Sequence, residues 1–171
     1  MSHEKLWAPW RINYVRSTAD KESGCFICNH IENPRDDDAN LVLWRSPNCI
    51  TVLNRYPYNN GHLLIAPLRH IADFDDADDE ELLELNKLVR EAKNALSRTI
   101  EPHGFNVGLN FGRCAGAGLP GHLHVHLVPR WNGDTNFMSV CSETDVISQS
   151  LYELLEQLKE ISQQDNLPDL R

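Results

Sequence analysis

Three histidines at alternate positions, His122, His124 and His126, are separated by Leu123 and Val125 and followed by Leu127, all within the stretch 121–130. A period of two belongs to a strand, so the imidazoles should project from one face and the aliphatic side chains from the other. The aliphatic row can pack into a core, and the imidazole row then lines a surface or a cleft. A single core histidine is commonplace, and that description suits His30 and His103. Three on one face do not fit it, because each ring must find partners for two nitrogens. Two chemistries use such a row. One is a metal site, in which His-x-His supplies two ligands from one strand. The other is nucleophilic catalysis at phosphorus, in which one imidazole attacks while its neighbours orient it and handle protons.

Two further stretches carry chemical potential. Cys25 and Cys28 form a Cys-x-x-Cys pair within a set of five cysteines. In a cytosolic protein such a pair points to metal or redox chemistry rather than a structural disulfide. Cys49 and Cys141 read as small buried apolar residues. The segment 112–121 carries Gly112, Gly116, Gly118 and Gly121 directly before the first histidine. A glycine-rich loop exposes backbone N–H groups and lets a ligand approach closely. It matches neither a P-loop nor G-x-G-x-x-G in context.

The elements that must position these groups follow from periodicity. Residues 41–44 and 49–54 read as strands separated by the turn 46–48, and 62–67 as a third strand ended by Pro67. The stretch 81–100 carries Leu82, Leu85, Leu88, Val89, Ala92 and Leu96 at helical spacing, so it is a long amphipathic helix whose leucine stripe is core. The acidic run 73–80 before it suits a helix N-terminus. Pro102 and Gly104 break that helix, and 105–111 is a fourth strand. A second amphipathic helix covers 143–163, and the tail beyond it is expected to fray. The expected fold is α+β: an antiparallel meander of about five strands with one long helix and a C-terminal helix. The 171 residues suggest one domain, with 1–24 as an N-terminal arm and 143–171 as the C-terminal helix and tail. The arm holds Trp7, Trp10 and Tyr14 and should pack against the body.

Composition narrows the function classes. Hydrophobic residues make up 41% of the chain, enough for a real core, and the formal charge of −9 argues against attraction to a nucleic-acid polymer. No apolar run approaches the ~20 residues needed to span a membrane. The N-terminus lacks the basic start and apolar stretch of a signal peptide, so the expected location is the cytoplasm.

The stretch His122-Leu-His-Val-His-Leu-Val128 resembles the His-φ-His-φ-His-φ-φ signature of the histidine triad superfamily. Supporting stretches are 6–11, 52–55, 56–69, 102–110 and 129–134, so the resemblance covers about residues 5–160. The chain is most similar to the longer microbial branch of diadenosine tetraphosphate phosphorylases and hydrolases. The resemblance implies a twofold dimer with one continuous sheet, paired through the strand region ending in Val107–Phe111. It implies that His124 takes the nucleotidyl group from the α-phosphate and that His126 binds phosphate and aids leaving-group departure. On physical grounds a protonated His126, with the glycine-loop amides, would stabilise charge on the phosphoryl oxygens. Asn54 would hold the ribose hydroxyls and Asn110 would contact the α-phosphate region. Relatives often carry Ser or Thr just before the motif; here Gly118, Leu119 and Pro120 offer no hydroxyl, and the Gly118 backbone region would replace it. Zinc-bearing relatives use Cys-x-x-Cys with two histidines, which match Cys25, Cys28, His70 and His122. Such a closed Cys₂His₂ set reads as a structural zinc site. Mg²⁺ could accompany the nucleotide.

The implied activity is cleavage of dinucleoside polyphosphates through a nucleotidyl-histidine, with phosphate slightly favoured over water as acceptor and Arg113 and the loop amides as candidate hydrogen-bond donors to that phosphate. Other enzyme readings are a nucleoside phosphoramidate hydrolase or a hexose-phosphate nucleotidyltransferase. A nucleotide-binding sensor with little turnover belongs to another class, and a catalytic zinc hydrolase would need all three triad histidines on an open metal.

Overall fold

The computed structural model describes residues 24–134 and 147–171. The N-terminal arm, Cys141 and the start of the segment expected to be the C-terminal helix lie outside the described residues. In chain order the elements are helix α1 (Phe26–Glu32), strands β1 (Val42–Arg45), β2 (Cys49–Leu53) and β3 (Leu63–Pro67), helix α2 (Asp79–Ile100), strands β4 (Gly104–Leu109) and β5 (Val125–Arg130), and helix α3 (Leu151–Asp165).

The five strands form one antiparallel sheet in the order β1-β2-β3-β5-β4. The first three are a meander. The last two are not, because β5 inserts between β3 and β4 and leaves β4 as an edge. Along that edge Asn106, Val107 and Gly108 are exposed.

Helix α2 starts where its chemistry dictates. The Asp78 side chain accepts from the Glu81 N–H, and the Glu81 carboxylate accepts from the Asp78 N–H, a capping box reinforced by Asp79 and Glu80 in the first turn. The leucine stripe is buried as expected, with Leu85, Leu88, Ala92, Ala95 and Leu96 facing the sheet. Each buried leucine contributes about 1.5–3 kcal/mol relative to exposure. Together with Leu154, Leu155 and Leu158 of α3, this face covers Leu53, Leu63 and Ile65 and the predicted aliphatic row Leu123, Val125 and Leu127. The other face of the sheet holds a smaller cluster of Val42, Ile50, Val52, Leu64 and Ala66, sealed by Ile27 of α1.

Three local expectations differ from the structure. Helix α3 begins at Leu151, and 147–150 is not helical. The C-terminal tail does not fray: Leu167 and Leu170 pack on the main core, and Lys87 Nζ donates to the Leu170 carbonyl at 2.5 Å. His103 is exposed rather than core, with Nδ1 accepting from the Asn132 N–H at 2.9 Å.

Candidate functional site

The histidine row works as two groups. Strand β5 starts at Val125, so His122 and His124 precede the strand and only His126 lies on it. The alternation still separates the faces. Leu123, Val125 and Leu127 enter the helix-covered core, while His126 stands opposite Leu64, a member of the cluster on the other face.

His122 turns toward the cysteines. Its Nδ1 lies 3.1 Å from Cys25 Sγ and 3.5 Å from Cys28 Sγ, and Cys28 Sγ is 3.1 Å from His70 Nδ1. The four ligand atoms all lie within 4.8 Å of one another. Donors at about 2.3 Å (sulfur) and 2.1 Å (nitrogen) from a tetrahedral ion sit roughly 3.5–3.8 Å apart, so this cluster could hold a metal ion. Local structure prepares it. Cys25 caps α1, its Sγ accepting from the Cys28 N–H at 3.3 Å. Arg45 secures the other end of that helix, donating to the His30 and Ile31 carbonyls and to Asp37. His122 Nε2 donates to the Pro67 carbonyl at 2.8 Å, which leaves the Nδ1 lone pair aimed at the sulfurs. Burial lowers the His122 pKa and keeps that ring neutral. Burial and the neighbouring Cys25 thiol push Cys28 up to about 11, so ionising it calls for a nearby cation. The loop bearing His70 is held by Arg69, which forms a two-bond pair with Glu81 at 2.7 and 2.5 Å.

His124 is buried, and its Nδ1 donates to the carbonyl of His122 at 2.7 Å. A neutral ring with its proton on Nδ1 has its lone pair on Nε2. Burial lowers the His124 pKa, which favours that neutral form. The rings of His124 and His126 lie 4.9 Å apart.

A fourth imidazole completes the site. His62, fully buried at the start of β3, has Nε2 at 3.0 Å from His126 Nδ1. On its far side Nδ1 accepts from the Tyr58 N–H at 3.1 Å and lies 3.2 Å from Asn54 Nδ2. Burial, then the neighbouring His126 and His124, push His62 down to about 3. Asn110, one residue past β4, has Nδ2 at 3.3 Å from His126 Nε2. The predicted residues Asn54, Asn110, His124 and His126 therefore gather around one centre, and Cys25, Cys28, His70 and His122 around another beside it. Gly118 and Arg113 are exposed in the glycine loop. His62 is not among the sequence-predicted site residues; its signal is an imidazole directly before the wholly buried run Leu63–Pro67.

The profile of the HIT domain family matches residues 36–133. The chain belongs to the HIT family. An AP-4-A phosphorylase from Mycobacterium tuberculosis is 40% identical over 153 residues, covering 86% of this chain and 78% of that one. Among solved structures, a hypothetical histidine triad nucleotide-binding protein from Sulfolobus tokodaii has a TM-score of 0.66 at 26% identity, covering 82% of this chain and 93% of that chain. A Zn-bound histidine triad family protein from Mycobacterium smegmatis has a TM-score of 0.67 at 23% identity, over 84% and 96% of the two chains, and this likeness is one of fold. The α+β, five-stranded antiparallel architecture is thus the HIT fold. No helix among the described residues is long and apolar enough to cross a membrane.

Proposed function

We propose that this HIT protein is a cytoplasmic enzyme of one domain that cleaves dinucleoside polyphosphates, diadenosine tetraphosphate foremost, by transferring a nucleotidyl group through His124. One observation carries the reading. The His122 carbonyl holds the Nδ1 proton of buried His124, so the Nε2 lone pair is available for attack. The likeness to an AP-4-A phosphorylase supplies the substrate class.

In the first step the Nε2 lone pair of His124 bonds to the α-phosphorus and the P–O bond to the leaving polyphosphate breaks. Diadenosine tetraphosphate releases ATP, an anion that needs no added proton. His126 and Asn110 bind the phosphoryl oxygens, Asn54 the ribose hydroxyls, and the backbone around Gly118 adds N–H donors. In the second step an acceptor oxygen bonds to phosphorus, the P–N bond breaks with its electron pair returning to Nε2, any proton on the acceptor oxygen passes to solvent, and His124 returns to its neutral Nδ1–H form. Inorganic phosphate gives ADP and water gives AMP. The phosphorylase relative favours phosphate.

The donor set Cys25, Cys28, His70 and His122 suits zinc in a closed structural role: two thiols, two Nδ1 nitrogens and a carbonyl behind His122. These residues would tie α1 to the segment that carries the His122 carbonyl. Mg²⁺ would enter with the polyphosphate rather than with the protein. The exposed edge of β4 favours pairing with a second copy into a homodimer.

The test is turnover of diadenosine tetraphosphate with labelled phosphate. Label in ADP supports the phosphorylase, AMP without labelled product makes the enzyme a hydrolase, and no cleavage at all removes the reading. His124→Asn should abolish turnover with nucleotide binding retained; near-normal turnover would exclude the covalent route.

A further inference from the structure

We infer that Tyr58, Asn54 and His62 act as positioning residues that set the tautomer of His126, placing its single ring proton on Nε2, where the reacting phosphoryl group would sit. Only that last clause rests on the proposed function. The chain of donors is fixed from its outer end. A backbone N–H can only donate, so the Tyr58 amide makes His62 Nδ1 an acceptor. A second fixed donor agrees with it. The Tyr56 N–H donates to Asn54 Oδ1 at 3.0 Å, which identifies the other arm of that amide as NH₂ and aims it at the same His62 nitrogen.

With Nδ1 accepting, neutral His62 carries its proton on Nε2. Its burial and its low pKa keep it neutral. The Nε2–H then donates to His126 Nδ1 at 3.0 Å, so that nitrogen must accept. Neutral His126 is left with its proton on Nε2. The structure sets Asn110 Nδ2, a donor, 3.3 Å from His126 Nε2, so a proton on Nε2 requires the Asn110 amide to turn by half a rotation and present Oδ1 instead, an exchange of two near-isosteric arms. The Tyr58 ring holds the assembly in place. It lies 4.7 Å from the His62 ring and stacks on His126 at 5.7 Å, and His124 meets His126 edge-on.

This arrangement departs from the protonated His126 expected at the phosphate. A second proton on His126 Nδ1 would set two N–H groups head to head across 3.0 Å in a buried contact. His126 in the resting protein is therefore a neutral Nε2–H donor that stabilises charge on the phosphoryl oxygens by hydrogen bonding.

Long-range proton–nitrogen NMR on histidine-labelled protein at pH 8, without substrate, tests this. The expected spectrum has unprotonated Nδ1 and protonated Nε2 in both His62 and His126, with the opposite pattern in His124. A protonated Nδ1 on His126 in the wild-type spectrum overturns the inference. His62→Gln keeps an N–H where Nε2 stood, and His62→Leu does not. The leucine variant should mix the His126 tautomers and lower kcat about ten- to a hundredfold, with KM changing less and glutamine recovering most of the loss. Equal His126 spectra in the two variants would also overturn it. Loss of the proposed substrate leaves the nitrogen spectrum as it is, so the two readings fail separately.

Discussion

Replacing Gly61 by alanine should destabilise the protein by about 2–4 kcal/mol and damage the site one residue away. Gly61 has φ +75°, and a Cβ built there would lie 2.8 Å from Ile100 Cδ1, 2.9 Å from Leu96 Cδ2 and 3.1 Å from Pro129 Cγ. The left-handed backbone costs an L-residue about 1–2 kcal/mol. Forcing a methyl into three packed side chains costs about 1–3 kcal/mol more. Alanine also restricts the unfolded chain, which returns about 0.4–1 kcal/mol. Relief requires Leu96 and Ile100 to move in α2, or the turn to move and carry His62 away from His126. Urea unfolding is the assay: with a slope of about 1–3 kcal/mol/M the midpoint should fall by roughly 1 M or more, the slope staying constant. Turnover should fall alongside. A loss below about 1 kcal/mol with normal turnover would refute the crowding argument.

Acid should weaken the fold through His62. Its folded pKa near 3 lies below the ordinary 6.5, so the unfolded chain binds the extra proton first and stability is lost as pH falls through that window. From pH 8 to pH 5 this amounts to about 2 kcal/mol, measured as the change in unfolding free energy, and His62→Gln should remove that part of the slope. Ser162→Ala should cost about 1–3 kcal/mol in chemical denaturation, because buried Trp44 Nε1 donates to Ser162 Oγ at 3.0 Å and would lose its acceptor. Cys25→Ser should release about one zinc per chain by metal analysis and lower the melting temperature; metal-free wild type unaffected by the change would remove the zinc assignment.

What could be read from the chain was what local periodicity and capping carry. Leu123, Val125 and Leu127 enter the core because period-two alternation is a local property, which here runs from β5 back into the residues just before it. The α2 stripe is legible because helical spacing places Leu85, Leu88 and Leu96 on one face whatever they meet. The four residues of the Cys-His cluster were named by resemblance, and they gather although His70 lies far from Cys28 in sequence. Long-range register leaves no such local mark. Nothing near Val125 states that it pairs with Ile65 on one side and Leu109 on the other, so the order of the last two strands was missed. His62 carries no local mark of its role, because its partners Asn54, Tyr58 and His126 meet it only in the folded chain. The tail was misread for a related reason. Leu167 and Leu170 show no periodicity, and only the α2–α3 surface gives them somewhere to go.

Position 122 does two jobs with separable parts. The imidazole joins the cysteine cluster, whereas the carbonyl that holds His124 belongs to the main chain and survives any side-chain replacement. An alanine there deletes the anchor but not the acceptor. Its effect on the reaction would therefore report a displacement, namely how far the carbonyl drifts once nothing pulls on its side chain. A scan in which 122 scores as intolerant would thus not mark that imidazole as part of the chemistry. Anchoring 122 by some unrelated means, such as a packed apolar side chain in place of the cluster, should restore function without restoring a single ligand.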